Sequence, residues 1–210
     1  MHTLRALVAG TPVVAVLRAA SAERFPAAVN VLAQAGLPAV EVTLSTSGAL
    51  ECIASLRARY GANLAIGAGT IRGPEDATAA IAAGAQFVVS QVTHSAVAEV
   101  ARAAGVSYVP GALTPNEILT AWELGVEAVK VSPVGPLGGP RYLRELHAPM
   151  PDVPLVPTGG VEIVDVPEYF AAGAAVVGVS ARLMQDALTA DGDLTALGAR
   201  AEQLMNLVTE

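Results

Sequence analysis

The chain has 210 residues, a length that suits one domain. Hydrophobic residues make up 53% and charged residues 15%, which excludes long disorder and leaves enough apolar material for a large core. A net charge of −7 argues against nucleic acid or an anionic membrane as partner, although an anionic small molecule could still bind where arginines gather. Cys52 is the only cysteine, so an intrachain disulfide and a cysteine metal cluster are both excluded; its neighbours read as a helix and its thiol as buried. Residues 6–17 are apolar but short, are broken by Gly10-Thr11-Pro12 and end at Arg18. They read as neither a targeting segment nor a membrane span, and a cytoplasmic location is expected.

In chain order, short β-rich runs alternate with Ala/Leu-rich helical patterns. Strands are expected to begin near Val13, Ala39, Leu64, Phe87, Tyr108, Ala128, Leu155 and Ala175, a spacing of 20 to 27 residues that fits one strand plus one helix. The runs are continuously apolar, as in Val13-Val14-Ala15-Val16-Leu17, which suits a parallel sheet covered on both faces. A helix is expected over residues 22–36, with Ser21 as N-cap and Pro26 tolerated near its start. Pro74 and Pro115 mark two further helix starts, the latter after Thr114 as cap, and Gly84, Gly105, Gly125 and Gly173 each close a helix just before the next strand. Eight such units without a linker predict a single (β/α)8 TIM barrel over residues 1–210, with an extra N-terminal helix over 1–9 and a C-terminal helix over 193–208. An open doubly wound sheet is the alternative.

The chain carries eleven arginines and one lysine. That lysine, Lys130, lies within Ala128-Val129-Lys130-Val131-Ser132-Pro133, the sixth strand. Arginine keeps its proton at any accessible pH, whereas a desolvated lysine can become a neutral nucleophile, so a lone lysine in an apolar strand points to imine chemistry. The competing reading is a stem laid on the barrel with the charge reaching an edge. Glu41, in Ala39-Val40-Glu41-Val42-Thr43-Leu44, must be paired, protonated or hydrogen-bonded in such a run. If both side chains enter the barrel, Glu41 faces Lys130 as acid and base; otherwise it neutralises an arginine such as Arg18.

Hydroxyls and glycines gather at the strand ends, where barrel active sites are built. The third strand, Ala65-Ile66-Gly67-Ala68-Gly69-Thr70, leaves room at the centre and offers the Thr70 hydroxyl to a carboxylate. The seventh ends in Pro157-Thr158-Gly159-Gly160 and the eighth in Gly178-Val179-Ser180, where exposed N–H groups could hold phosphate, although a plain turn would also explain Gly159 and Gly160. Arg18 is the remaining cation suited to a carboxylate or phosphate, or else a surface residue ending its strand. His2, His94 and His147 have no metal-ligand spacing and read as surface residues. Trp122, with Ile118, Leu119 and Leu124, reads as core or subunit contact.

Several of these motifs together resemble the KDPG/KHG aldolase family (2-keto-3-deoxy-6-phosphogluconate and 4-hydroxy-2-oxoglutarate aldolases) along almost the whole chain. The carriers are Glu41-Val42-Thr43-Leu44, Gly67-Ala68-Gly69-Thr70, Gly84-Ala85-Gln86-Phe87, Pro110-Gly111, Val129-Lys130 with Pro133, and Pro157-Thr158-Gly159-Gly160. The resemblance implies a homotrimeric barrel with no cofactor and no metal, acting on a small 2-keto acid and releasing pyruvate. Lys130 would form the Schiff base, Glu41 would move protons and Thr70 would hold the carboxylate, with Thr158, Gly159, Gly160 and Ser180 near the far end of the substrate. Three positions depart from the family pattern: Ser45 in place of a carboxylate-binding arginine, Ser132 in place of an aromatic residue, and Ser90-Gln91-Val92 in place of Ser-Pro-Gly. They reshape the pocket and leave Arg18 to take over part of the anion binding. The same chemistry on 2-keto-3-deoxy-6-phosphogalactonate, or a barrel that binds a phosphorylated metabolite without catalysis, are the other readings.

Overall fold

The structure, a computed structural model, describes residues 3–8 and 10–209. Its strands are β1 (Val13–Leu17), β2 (Ala39–Thr43), β3 (Ala65–Ile71), β4 (Phe87–Ser90), β5 (Ser107–Val109), β6 (Gly111–Ala112), β7 (Val129–Val131), β8 (Leu155–Pro157) and β9 (Val177–Val179). The helices are α1 (Leu4–Leu7), α2 (Phe25–Gln34), α3 (Ala49–Tyr60), α4 (Pro74–Ala82), α5 (Ser95–Ala104), α6 (Pro115–Trp122), α7 (Pro140–His147), α8 (Val166–Ala171), α9 (Ala181–Met184) and α10 (Leu194–Thr209). The result is an α/β fold around a curled, all-parallel sheet.

Hydrogen bonding divides that sheet into six strands, in the order β5-β4-β3-β2-β1-β9, and three, in the order β6-β7-β8. The expected fifth strand is therefore two pieces. Pro110 between them has no N–H to donate, while its carbonyl accepts from Lys130 N at 2.8 Å, so the chain changes ladders at that residue. At the other seam, Ala175 N donates to Leu155 O at 2.9 Å, and bridges join Leu155 to Ala174 and Thr158 to Gly178.

Side chains alternate across the strands as a period of two requires. Outward residues such as Val13, Ala15, Val40, Val42, Ile66, Val88, Val129 and Val177 pack under the helices in one large core. Inward residues Val14, Ala39, Ala65, Phe87, Val109, Ala128, Val156 and Val176 form a second, smaller cluster closed from below by Leu4 and Val8. The Glu127 carboxylate accepts from Leu4 N and Ser107 Oγ, pinning the start of α1 beneath that floor.

Local signals differ in how they play out. Thr114 and Glu117 form a full capping box on α6, and Gly84, Gly105, Gly125 and Gly173 all have positive φ just past helices, as the spacing predicts. Ser21 does not cap α2. Its Oγ accepts only from Glu23 N at 3.3 Å, and Ser21 bridges Ser47, so the helix starts at Phe25 and the preceding residues form a loop. The terminal helices are α1, shorter than the expected 1–9, of which Met1, His2 and Ala9 lie outside the described residues, and α10, which packs on α2 and α8. His94 and His147 are half-buried rather than on the surface, each with a covered Nδ1 lacking a hydrogen-bond partner. Cys52 is buried, and burial pushes its thiol up to about 11, which leaves it unreactive.

Candidate active site

Polarity in the interior changes with height along the strands. The floor residues stand near the strand starts; two residues further on, the same inward face carries Glu41 on β2 and Lys130 on β7. Glu41 pairs in register with Val16 and Gly67, and Lys130 with Gly111 and Val156. Each is only 4% exposed.

Among the described residues Glu41 has no ion-pair partner within 4.0 Å, and its Oε1 is covered without a hydrogen-bond partner. Burial raises its pKa, opposed first by the Lys130 ammonium and then by the Arg18 guanidinium. Lys130, Arg18 and Glu41 thus share one electrostatic environment. A covered carboxylate oxygen left unsatisfied is costly, and such groups concentrate where chemistry needs them.

Glu41 sits where it does because Gly69 has no side chain: a Cβ there would lie 1.7 Å from Glu41 Oε1 and 2.4 Å from its Cδ. Gly67 plays the same part for the Phe87 ring, 2.2 Å from its would-be Cβ. The sequence suggested that these small residues leave the centre open. Instead, the space is filled by Phe87 and by the Glu41 carboxylate.

A cavity of about 840 Å³ opens at the C-terminal ends of the strands; Lys130 reaches it, whereas Glu41 is not in its lining. Lys130, Thr158, Gly159, Ser180 and Arg18 all line it. Thr70 does not, but it accepts a hydrogen bond from Arg18 Nη2 at 3.2 Å, which joins it to the site. Thr70 holds φ at +61°, a strained conformation for a β-branched residue and one that recurs at functional positions. Ser45 faces Thr70 and Arg72 across a separate hollow of about 150 Å³.

The glycines divide. Gly159, at φ +83°, lines the cavity, and a Cβ there would press on Ser132 Oγ at 3.1 Å. Gly160, at φ +79°, lies off the cavity against Gly135. Gly178 makes room for Thr158, whose Oγ1 would be 2.5 Å from an added Cβ, and it does not line the cavity either. Ser180 Oγ donates to Val16 O at 3.0 Å, which anchors the start of α9.

Sequence reasoning passed over Gln91 as a contact and Arg24 altogether. Gln91 Nε2 donates to Ser132 O at 3.0 Å, so two of the three departures from the family pattern touch each other at the cavity wall. The helix expected over residues 22–36 would have taken in Arg24, whereas the observed helix starts at Phe25 and leaves Arg24 in the loop before it.

A parallel α/β fold with a buried amine and a buried carboxylate on one interior face, opening to a cavity at the strand ends, defines an enzyme site rather than a docking surface. The family model for KDPG and KHG aldolase matches residues 4–199, and the chain belongs to that family. It is 33% identical over 173 residues to the 2-dehydro-3-deoxy-6-phosphogalactonate aldolase of Escherichia coli, covering 82% of this chain and 84% of that one. It is 35% identical over 173 residues to the 2-dehydro-3-deoxy-phosphogluconate aldolase of Treponema pallidum, covering 82% of each. A crystal structure of a 4-hydroxy-2-oxoglutarate/2-dehydro-3-deoxyphosphogluconate aldolase superposes with a TM-score of 0.84 at 35% identity over 98% of both chains. The named relatives are aldolases, hence lyases, so the chain is an enzyme of that class and the purely binding barrel is set aside. Among the described residues no helix is long and apolar enough to cross a membrane.

Proposed function

We propose that the protein is a class I aldolase that reversibly cleaves a 2-keto-3-deoxy-6-phospho-sugar acid or 4-hydroxy-2-oxoglutarate to pyruvate and an aldehyde, through a Schiff base at Lys130. The observation that carries the reading is the burial of Lys130 and Glu41 on one interior face, close enough for the Lys130 charge to act on the Glu41 carboxyl.

The Lys130 ammonium gives up a proton, its free amine adds to the C2 ketone of the substrate, and the carbinolamine hydroxyl takes up that proton and leaves as water to give an iminium. Ionised Glu41, directly or through a water, takes the C4 hydroxyl proton as the C3–C4 electron pair moves towards the iminium nitrogen. An aldehyde leaves, and the enamine of pyruvate remains. The protonated Glu41 then returns its proton to C3, and water hydrolyses the imine to free pyruvate and Lys130. One proton is taken and one returned, so the carboxylate is restored. A carboxyl whose pKa burial has raised serves both roles near neutral pH better than an exposed one.

Arg18, steadied by Thr70, binds the carboxylate of the keto acid, the role the family gives to the arginine replaced here by Ser45. Thr158, Gly159 and Ser180 meet the rest of the substrate, while Gly160 and Gly178 hold the loop and Thr158 in shape. The bridges between β8 and β9, with the continuity of β5 and β6 through Pro110, support closure of the sheet into a (β/α)8 barrel. By likeness to the family we further infer a cytoplasmic homotrimer. The 6-phosphogalactonate series is the alternative substrate, since one relative is an aldolase for it.

Incubation with pyruvate, reduction with borohydride and digestion test the chemistry. A lactyl-sized mass gain on the Lys130 peptide is expected, and an unmodified peptide overturns the reading. An aldehyde panel with glyceraldehyde 3-phosphate and glyoxylate separates the substrates.

A further inference from the structure

We propose that Arg24 is a specificity-determining residue that binds the phosphate of the aldehyde half and selects phosphorylated over unphosphorylated substrate, an inference that rests on the aldolase reading above. Because α2 begins only at Phe25, Arg24 sits in the loop after β1, at the end of the sheet where the cavity opens. It lines that cavity beside Ser21 and the segment after α9, with Leu188, Thr189 and Ala190. Lys130, Ser132, Thr158 and Gly159, by contrast, reach the cavity from β7, β8 and the loops that follow them.

Three cations line the cavity. Lys130 is taken by the ketone and Arg18 is held by Thr70. Arg24 is held only by a neutral group: its Nη2 donates to Gly192 O at 2.8 Å, and its Nε is covered with no partner. Among the described residues the one ion pair joins Arg182 to Glu162, so no carboxylate neutralises Arg24. Glu23, the one acid in the lining, is exposed to solvent and screened.

A partly covered guanidinium with spare donors and no counter-charge is suited to an anion, and its planar fork matches two phosphate oxygens. Of the glycines expected to supply this contact, Gly159 lines the cavity and Gly160 does not. The Gly192 bond fixes the fork and ties it to the segment that bears Thr189, whose hydroxyl lies in the same lining.

The test compares Arg24→Gln and Arg24→Lys with the wild type on 2-keto-3-deoxy-6-phosphogluconate and on 2-keto-3-deoxygluconate, with inorganic phosphate binding measured by calorimetry. In Arg24→Gln the ratio of kcat/KM for the phosphorylated to the unphosphorylated acid should fall by about 10- to 100-fold, mostly through KM, the range for losing a hydrogen bond to a charged group. Phosphate binding should weaken in step, and Arg24→Lys should recover part of both. A purely structural role, through the Gly192 contact, would lower both substrates alike and leave the ratio unchanged. That result, or phosphate binding equal in wild type and Arg24→Gln, overturns the proposal. Pyruvate trapping on Lys130 reports a folded site in each variant. Its failure in the wild type would overturn the Schiff-base reading, and phosphate binding would then decide Arg24 alone.

Discussion

The floor and the mouth of the same interior are built from the same strands, two residues apart, and obey opposite rules. At the floor, Val14, Ala39, Ala65, Phe87, Ala128 and Val176 close on one another and on Leu4 and Val8, and the polar groups beside them, Ser107 and Glu127, are hydrogen-bonded to each other. One pleat higher, Glu41 and Lys130 are as deeply buried, yet the carboxylate keeps an oxygen without a partner. The floor is packed for stability, whereas the mouth holds groups whose burial costs stability. The cost is tolerated because a strained or unsatisfied arrangement can be over-determined by a rigid surround.

The sharpest way to break that contrast is to make the mouth resemble the floor. Lys130→Met keeps volume and burial but removes the amine. Turnover should fall by ~10⁴-fold or more and pyruvate trapping should vanish; thermal unfolding should show a loss of stability, because buried Glu41 loses its main counter-charge, and equal or higher stability than wild type in the double variant Lys130→Met/Glu41→Gln. Retained turnover would mean that another group carries the chemistry.

Glu41→Gln comes next, with kcat expected to drop by about 10²- to 10⁴-fold, the worth of a positioned acid–base group. Its stability signature has a definite sign. Burial raises the folded pKa of Glu41 above the ordinary 4.5, so between those two values the native state holds a proton that the unfolded chain has released. Stability attributable to Glu41 therefore declines as pH rises through that window and levels off once both states are ionised. Urea titrations across pH should show the wild type losing stability relative to Glu41→Gln above about 4.5. No difference in slope would show that Glu41 is not desolvated in solution.

The floor gives the reverse experiment. Phe87 is fully buried, with its ring in the space left by Gly67. Phe87→Ala should cost about 3–5 kcal/mol of stability, and Gly67→Ala, which must displace the ring, about 1–3 kcal/mol. Both should keep trapping at Lys130 in the folded fraction. A Phe87→Ala protein as stable as wild type, yet inactive, would erase the distinction between the two levels.

How much of this the sequence discloses depends on the kind of interaction. Periodicity showed the strands to within two residues, but because burial on both faces leaves continuous apolar runs it left open whether Glu41 and Lys130 point inward. The fifth strand's division was less visible, although Pro110, with no N–H to give, was a signal available in the sequence. Ser21 misled, since a hydroxyl before an apolar stripe is a good cap only if the chain turns helical at once, and here it pairs with Ser47 first. Gly67 and Gly69 were read for the room they leave at the centre, and Gly178 for the strand end it belongs to. What fills that space comes from a different strand in each case, and no local pattern encodes it. Arg24 was missed for the same reason, because its partner Gly192 lies 168 residues away.

The smallest effect is expected at Arg18, where the mouth meets solvent. Its guanidinium is exposed, so its attraction for the substrate carboxylate is partly screened, but the hydrogen bond to Thr70 fixes its position and so spares the entropy of ordering a long side chain on binding. Arg18→Ala should raise KM for pyruvate and for the full substrate by about 10- to 100-fold, as for one lost charged hydrogen bond, with kcat less affected. Arg18→Lys should recover little, because an ammonium cannot hold Thr70 and a carboxylate with the same fork. Removing Arg18 also removes one of the two cations that pull the Glu41 pKa down. The acidic limb of the kcat profile should then move to higher pH in Arg18→Ala, in proportion to that lost charge. An unchanged KM would return carboxylate binding to some other donor, and an unchanged limb would separate Arg18 from Glu41.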